Sequence, residues 1–207
     1  MINIEQYLLA PCAASSIPFW KAQQITLPEN MKVLHDIEFK ADLLERYTDE
    51  PYFRLLHDLQ DLKKPMLPKG FVITNATQKE YAEHISLCYG MNMTEVQIDS
   101  FIDRNVYHPD LWIAIRELDS GEIVATGIAE IDKQIGEGSL EWIQVSPNYR
   151  GKGLATYIVQ TLLGRLSSIA YFVTVSGQCN NPTDPEKLYR NCGFKGTDIW
   201  HILRQRI

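Results

Sequence analysis

The chain has 207 residues, of which 45% are hydrophobic and 22% are charged, and its formal net charge is −6. This composition is ordinary for a soluble globular protein with one good-sized domain, or one domain and an appendage. The net negative charge argues against general nucleic-acid binding, because phosphate contacts require an excess of lysine and arginine. No apolar run reaches the roughly 18–20 residues of a membrane span, so no membrane association is expected.

The cysteines and histidines exclude two further classes of protein. The four cysteines lack CxxC spacing, and the five histidines lack the spacing of metal ligands. We therefore expect reduced thiols and no metal, rather than a disulfide scaffold or a zinc ribbon. The segment "LLAPC" near the N-terminus follows no positively charged region, so no signal peptide is predicted. Together these features predict a cytoplasmic protein.

The first 69 residues are predicted to be mostly irregular, because they hold six of the ten prolines. One helix is predicted near residues 50–63. Pro51 suits its first turn, Pro65 ends it, and leucines at 55, 56, 59 and 62 form an apolar stripe at helical spacing. We predict that residues 1–69 form an N-terminal extension packed on a main domain of residues 70–207.

From residue 70 onward, strand and helix patterns alternate. Two helices each open with a capping box, formed by Thr77 with Glu80 and by Thr94 with Gln97. The turn "DSGE" joins two apolar strands as a hairpin. This order predicts one mixed α/β sheet with helices on its faces. The predicted strands are 70–76, 111–118, 123–132, 139–145, 170–176 and 194–204, and the predicted helices are 77–89, 94–105, 151–166 and 185–192.

The entrance of the helix at 151–166 is the first feature that indicates a ligand. The segment "RGKG" places two glycines and two cations, Arg150 and Lys152, directly before an apolar helix. The first amides of a helix have no internal partner and lie at the positive end of its dipole. Glycines let a phosphate approach those amides closely. The pattern predicts a bound phosphate, since a purely structural turn does not need a glycine pair that weakens the helix.

Three phosphate-bearing ligands compete for this turn. A nucleoside triphosphate favours GxxxxGK[ST], whose spacing and hydroxyl group "GKGL" lacks. A dinucleotide favours GxGxxG and an acidic residue at the end of the next strand. The chain instead has Thr156 at the third glycine position and Ser176 and Gly177 at that strand end. Coenzyme A is the third ligand. The sequence fits it better than the other two, whose motifs are incomplete here.

Two motifs give the coenzyme A interpretation its specificity. "VSPNYRGKGLA" resembles the acyl-CoA signature Q/R-x-x-G-x-G/A of the GNAT superfamily of N-acetyltransferases, with Arg150, Gly153 and Ala155 in its fixed positions. "LYRNCGF" resembles the family pattern L-Y-x-x-x-G-F, with Tyr189 at the tyrosine position. The two segments occur in the family's order, across a helix and a strand, and the resemblance covers residues 70–205.

The resemblance implies an acyl-CoA site with acetyl-CoA as co-substrate. In this family the strand before the glycine turn splays from the strand after the helix, and the pantetheine arm lies in the gap. Backbone hydrogen bonds are then expected from residues 142–145, above all from Ile143 and Val145. The choice between Asn180 and Asn181 for a further pantetheine contact stays open. The cofactor-binding residues implied are Ile143, Gln144, Val145, Arg150, Gly151, Lys152, Gly153, Leu154, Ala155 and Asn181.

Acetyl transfer to an amine benefits from a base, because an amine with a pKa near 10.4 is protonated at neutral pH. We predict that Glu141 is this base. Strand alternation places it on the face of Ile143 and Val145, and an acid within "LEWIQV" is costly to bury unless it is paired or useful. The resemblance implies that Tyr189 donates a proton to the departing thiolate. The alternatives are a Glu141 that faces solvent or pairs with a cation, and a Tyr189 that only packs.

The predicted function is an N-acetyltransferase that moves an acetyl group from acetyl-CoA to a primary amine of a small molecule or peptide, by direct attack in a ternary complex. The alternative is a non-catalytic acyl-CoA-binding regulatory module on the same fold. The sequence determines neither the acceptor nor the oligomeric state, and a homodimer is allowed. Weaker polar candidates for an acceptor pocket are Glu130, Asp132, Ser176 and His201.

Overall fold

The computed structural model describes residues 2–206, which divide into two compact units. The first unit contains the residues up to Asp58 together with those from Thr174 onward. The second unit contains Leu59–Val173. The early part of the chain thus shares a unit with the last part, and the predicted domain division at residue 69 stays a prediction.

Helices and strands alternate in the second half of the chain in the predicted order, which confirms the mixed α/β fold class. No helix within residues 2–206 has both the length and the apolar character to cross a membrane. The helices are α1 (Ile4–Leu9), α2 (Pro11–Ala14), α3 (Phe19–Ala22), α4 (Gln78–Tyr89), α5 (Glu95–Ile102), α6 (Leu154–Leu166) and α7 (Pro185–Asn191). The strands are β1 (Met31–His35), β2 (Tyr47–His57), β3 (Phe71–Thr74), β4 (Trp112–Glu117), β5 (Ile123–Asp132), β6 (Glu137–Val145), β7 (Phe172–Gln178) and β8 (Lys195–Gln205).

The second unit is built on four consecutive antiparallel strands. β3 pairs with β4, β4 with β5, and β5 with β6, so the predicted hairpin around "DSGE" is confirmed. Both predicted capping boxes are present. Thr77 and Glu80 open α4, and Thr94 and Gln97 open α5. Hydrogen bonds between residues close together in the sequence therefore set where these two helices begin.

The two faces of β5 carry different helices. On one face Gly127 lies under α6, so closely that a Cβ atom at this position would be 2.2 Å from Cγ2 of Ile158. On the other face Ile128 packs in a buried cluster with residues of α4 and α5, including Ile85 and Ile98. The missing side chain at Gly127 lets α6 lie directly against the sheet. The contact holds α6 on β5 at Ile158, one turn beyond the start of the helix.

The first unit contains a second set of antiparallel strands. β8 lies between β1 and β2 and is antiparallel to both. The indole of Trp200 on β8 donates a hydrogen bond of 2.8 Å to the carbonyl oxygen of Cys12 in α2.

The helices α1, α2 and α3 and the strands β1 and β2 all begin before Asp58, so the prediction of mostly irregular backbone there is wrong.

The prediction of a helix near residues 50–63 is also wrong, because this segment forms most of β2 and then a loop. Pro51 fits the strand without losing a bond to β8. The carbonyl of Pro51 accepts from the amide of Cys179, just beyond the end of β7. Because the N–H and C=O of one residue point to the same side of a strand, the N–H that proline lacks would also have pointed away from β8. Phe53 and Leu55 are buried on one face, while Arg54 is buried on the other. Pairing with β8 has overridden the local helical pattern.

The contact between α6 and β5 leads to a first prediction. Changing Gly127→Ala should destabilise the protein by about 1–3 kcal/mol, because Ile158 is fully buried and cannot move aside without strain. Gly164→Ala is the matched control, since a Cβ on this α6 residue meets nothing within 4 Å. The control should gain up to about 1 kcal/mol from helix propensity. Urea unfolding measures both, and a Gly127→Ala protein as stable as the wild type would contradict the packing described.

Candidate functional site

The predicted glycine turn lies in the second unit, between the end of β6 and the start of α6. After Val145, a short 3-10 helix (Pro147–Tyr149) leads into the turn. Gly151 and Gly153 have φ angles of 76° and 84°, in the left-handed region that disfavours side chains. The backbone of the turn therefore requires both glycines, whatever it binds.

The start of α6 presents amide groups that the protein leaves unpaired. Gly153 is the N-cap residue and supplies no side-chain cap. The first hydrogen bond along the helix runs from the amide of Tyr157 to the carbonyl of Gly153. Within residues 2–206, the amides of Leu154, Ala155 and Thr156 have no acceptor. Together with the helix dipole they form an electropositive site for an anion.

Arg150 and Lys152 add positive charge beside these amides. The Nε group of Arg150 donates to the carbonyl of Val145 at 3.2 Å. The ammonium group of Lys152 lies 4.8 Å from the centre of the Tyr149 ring and 5.8 Å from that of Phe71. Neither cation has a carboxylate within 4.0 Å in the described part of the chain. Both cations are thus contacted by neutral groups and form no ion pair with the described residues.

The backbone of β6 presents two residues away from β5. The amide of Ser146 donates to the carbonyl of Val124 at 2.9 Å, so Ser146 and Val124 form a hydrogen-bonded pair. Because such pairs alternate along an antiparallel ladder, the N–H and C=O groups of Ile143 and Val145 point to the opposite edge of β6. Gln144 instead faces β5, and its side-chain amide donates to the hydroxyl of Thr126.

Glu141 stands at a break in the strand ladder. Trp142 is opposite Ile128, whereas Leu140 is already opposite Ala129, so a β-bulge inserts Glu141 between them. Leu140, opposite Ala129, lies on the face of Ile143 and Val145, and the inserted residue interrupts the alternation between them. Simple alternation therefore does not set the direction of Glu141, and its place on that face stays a prediction. Bulges re-aim side chains and are common beside active sites.

Aromatic rings surround the residue that follows Glu141. The indole of Trp142 meets the ring of Tyr89 edge to face at 5.4 Å and stacks on the ring of Phe101 at 6.4 Å. The guanidinium of Arg104 lies 4.0 Å from the centre of the Phe101 ring and pairs with the buried Glu130. Sequence analysis missed this cluster, because its members come from three separate elements.

A buried histidine supports the strand end that leads into the glycine turn. His84 on α4 lies with its Nδ1 2.8 Å from the hydroxyl of Thr126 and its Nε2 3.0 Å from the hydroxyl of Ser146. A neutral imidazole donates through one nitrogen and accepts through the other, which suits two hydroxyl groups. Burial lowers the pKa of His84 to about 4. This histidine was not singled out from the sequence.

The remaining predicted site residues lie in the first unit. Tyr189 on α7 is buried, with its ring centre 6.1 Å from that of Phe53 and 5.7 Å from that of Phe194. The side-chain oxygen of Asn181 accepts from both the amide and the hydroxyl of Thr183, at 2.9 and 2.7 Å. That oxygen is therefore committed to a local turn, and the amide nitrogen is the group available to a ligand.

The weaker polar candidates have structural partners. The hydroxyl of Ser176 accepts from the guanidinium of Arg54 at 3.0 Å. The ring nitrogens of His201 lie 2.8 Å from Asp49 and 3.1 Å from Asp36. No group of three or more His, Cys, Asp or Glu side chains within residues 2–206 is arranged to hold a metal ion.

Comparison with known proteins gives a domain match and similar folds. Residues 108–196 match the family model described as the acetyltransferase (GNAT) domain. No curated protein sequence matches the chain. A GCN5-related N-acetyltransferase from Sphaerobacter thermophilus has a TM-score of 0.72 and 20% identity, over 84% of this chain and 58% of that one. A GNAT-family acetyltransferase from Colwellia psychrerythraea has a TM-score of 0.61 and 13% identity, over 99% and 74%.

A Drosophila protein is a further structural relative, with a TM-score of 0.64 and 17% identity over 90% of this chain and 65% of that one. This chain therefore spans less than two thirds of the Sphaerobacter and Drosophila structures. At these identities the structural comparisons show a shared fold. The match to the GNAT domain model is separate support, and it covers residues 108–196.

The environment of His84 predicts how stability changes with pH. The folded protein keeps His84 neutral down to about pH 4, whereas the unfolded chain protonates it near pH 6.5. The unfolded state therefore binds more protons in this window, and stability should fall as the pH drops from about 6.5 to 4. The full loss is about 3 kcal/mol. Urea unfolding of wild type and His84→Gln should show a steeper pH dependence for the wild type, and equal slopes would contradict the prediction.

Proposed function

Since residues 108–196 belong to the GNAT acetyltransferase family, we propose that the protein is an N-acetyltransferase that uses acetyl-CoA and a primary amine. The observation that carries this proposal is the start of α6. Three unpaired amides, two left-handed glycines and two cations without carboxylate partners converge there. A diphosphate of coenzyme A satisfies all of these groups together, because it is a doubly charged acceptor.

In this proposal the segment Arg150, Gly151, Lys152, Gly153, Leu154 and Ala155 binds the diphosphate. A Cβ on Gly151 would meet nothing within 4 Å, so the approach to its backbone is open. The outward-facing N–H and C=O groups of Ile143 and the N–H group of Val145 bind the amides of the pantetheine arm as an added strand would, while the Val145 carbonyl already accepts from Arg150. Gln144 supports β5 through Thr126, and a direct contact with the cofactor remains an untested prediction for it.

The proposed chemistry is direct attack of the amine on the thioester carbonyl. Glu141 accepts a proton from the ammonium group, directly or through water, so that the nitrogen lone pair can form the new C–N bond. The carbon–sulfur bond breaks as the tetrahedral intermediate collapses. The attacking nitrogen, positively charged after bond formation, loses its second proton to solvent. Tyr189 gives its hydroxyl proton to the thiolate and regains one from solvent, and Glu141 releases the first proton, so one proton is released for each acetyl group transferred. The bulge at Glu141 supports its role, because it sets this side chain apart from the regular alternation.

The acceptor is a primary amine of a small molecule or peptide. The ring cluster of Trp142, Tyr89 and Phe101 adjoins Glu141 in sequence and space, and it offers an apolar wall for the carbon skeleton of such an amine. The rival function is an acyl-CoA-binding module without turnover. The two functions differ in whether thiol is released when acetyl-CoA and amines are mixed.

The diphosphate site is tested by a pair of glycine variants. Gly151→Ala forces a side chain onto a φ of 76°, which displaces the amides of the turn. We expect its affinity for CoA to fall at least tenfold, while its affinity for pantetheine, which lacks the diphosphate, stays unchanged. Isothermal titration calorimetry measures both ligands.

The matched control for this pair is Gly121→Ala, which imposes the same strain at a φ of 72° in the hairpin before β5, also with nothing within 4 Å. It should bind CoA as the wild type does. An equal loss of pantetheine and CoA affinity in Gly151→Ala, or equal losses of CoA affinity in the two variants, would overturn the proposed diphosphate site.

The proposed roles of Glu141 and Tyr189 predict different pH profiles. Glu141→Gln should lower kcat about 100-fold or more near pH 7, and the loss should shrink towards pH 10 because the amine then loses its own proton. Tyr189→Phe should lower kcat without raising the KM for acetyl-CoA. Thiol release with a panel of amines measures both, and Tyr47→Phe is the control for loss of a tyrosine hydroxyl elsewhere. Unchanged kcat in both variants would remove them from the mechanism, and absence of turnover despite CoA binding would favour the binding module.

A further inference from the structure

The second unit contains a cavity that the proposed acetyl transfer does not use. It has a volume of about 220 Å³ and lies where the end of β3, the start of α4 and the start of β4 meet. Its walls include the rings of Tyr81, Tyr107 and Trp112. Both tyrosine rings meet the indole of Trp112 edge to face, at centre distances of 4.9 and 5.7 Å. The cavity is therefore an ordered aromatic box, held by rings from three parts of the chain.

One wall of the cavity carries a hydroxyl group that the fold leaves unused. Tyr81 is only 5% exposed, and it lines the cavity. Its hydroxyl makes no hydrogen bond within residues 2–206, and although the residue is buried the hydroxyl oxygen itself remains accessible. A ligand in the cavity is the group positioned to satisfy it.

The other polar groups of the cavity share one chemical property. Thr74 contributes a hydroxyl, and Asn75 and Gln78 contribute side-chain amides. The Thr74 hydroxyl already donates to the carbonyl of Asn75 at 3.2 Å and can accept from a ligand. The two side-chain amides, like the Tyr81 hydroxyl, can both donate and accept hydrogen bonds. A ligand that suits all four carries several groups of the same dual kind, as a polyhydroxylated molecule does.

The charges around the cavity decide against a cationic ligand. Aromatic boxes bind quaternary ammonium groups when the surroundings favour positive charge. No charged side chain lines this cavity. The walls therefore offer a cation no carboxylate as a partner.

We propose that this cavity binds a neutral sugar ring of monosaccharide size. The dual donor and acceptor groups recognise ring hydroxyls, and the aromatic walls pack against the C–H faces of the ring. Its volume of about 220 Å³ is below the 300–1,000 Å³ of pockets for drug-sized ligands, so a single ring fits better than a nucleotide or a peptide. The site does not depend on acetyl transfer and stands if that function fails.

Protein-observed NMR tests this site with named probes. Wild-type protein is titrated with D-glucose, D-galactose and D-mannose, and separately with tetramethylammonium chloride and sodium acetate. We expect at least one sugar to saturate the shift of the Trp112 indole N–H at millimolar concentrations, and the two ions to leave it unchanged. Tyr81→Phe should weaken sugar binding about two- to tenfold through loss of one hydrogen bond.

The control for Tyr81→Phe is Tyr171→Phe, which removes a hydroxyl from an 82% exposed residue and should bind the sugar as the wild type does. Because the hydroxyl of Tyr81 has no partner in the fold, its loss should leave the melting temperature nearly unchanged. Saturation by tetramethylammonium, saturation by acetate, or no shift with any sugar in the wild type would each overturn the proposal. A sugar affinity that Tyr81→Phe leaves intact would also overturn it.

Discussion

The site depends on one constraint, which is that the first amides of α6 have no acceptor within the protein. A helix can leave them unpaired at no great cost only where water or a ligand reaches them. Here two glycines with positive φ angles bring the chain into the helix without a side chain over those amides. Gly127 lets α6 lie directly on β5. The diphosphate proposed for the turn is the natural counterpart of this arrangement.

The turn is held from two sides, so its amides are in place before a ligand arrives. Arg150 donates to the carbonyl of Val145, and the Tyr149 hydroxyl donates to Glu117 on β4 at 2.6 Å. Behind the strand end, His84 joins α4 to the hydroxyl groups of Thr126 and Ser146. A pre-formed site loses less entropy on binding than a flexible loop would. The same logic makes His84 a source of pH-dependent stability rather than of catalysis, because burial keeps it neutral.

Local patterns predicted much of the second unit from the sequence, and long-range pairing explains where they failed. The capping boxes at Thr77 and Thr94 and the glycine turn are short-range chemistry, and each was predicted with its residues. The segment 50–63 carries a helical stripe, yet Tyr47–His57 forms a strand because it pairs with β8, whose partner residues lie 139 to 158 positions further along the chain. The bulge at Glu141 depends on the register with β5, which a single strand does not encode. The box around Tyr81 combines separate elements and has no local motif.

The amides at the start of α6 are also where the account can be tested most directly. Addition of CoA to ¹⁵N-labelled protein should shift the backbone N–H signals of residues 151–155 downfield, as expected for amides that gain charged acceptors, and pantetheine alone should leave these signals in place. If CoA binds while the signals of residues 151–155, those of the unpaired amides of Leu154 and Ala155 among them, and of Thr156 stay unchanged, the diphosphate lies elsewhere and the central claim is wrong.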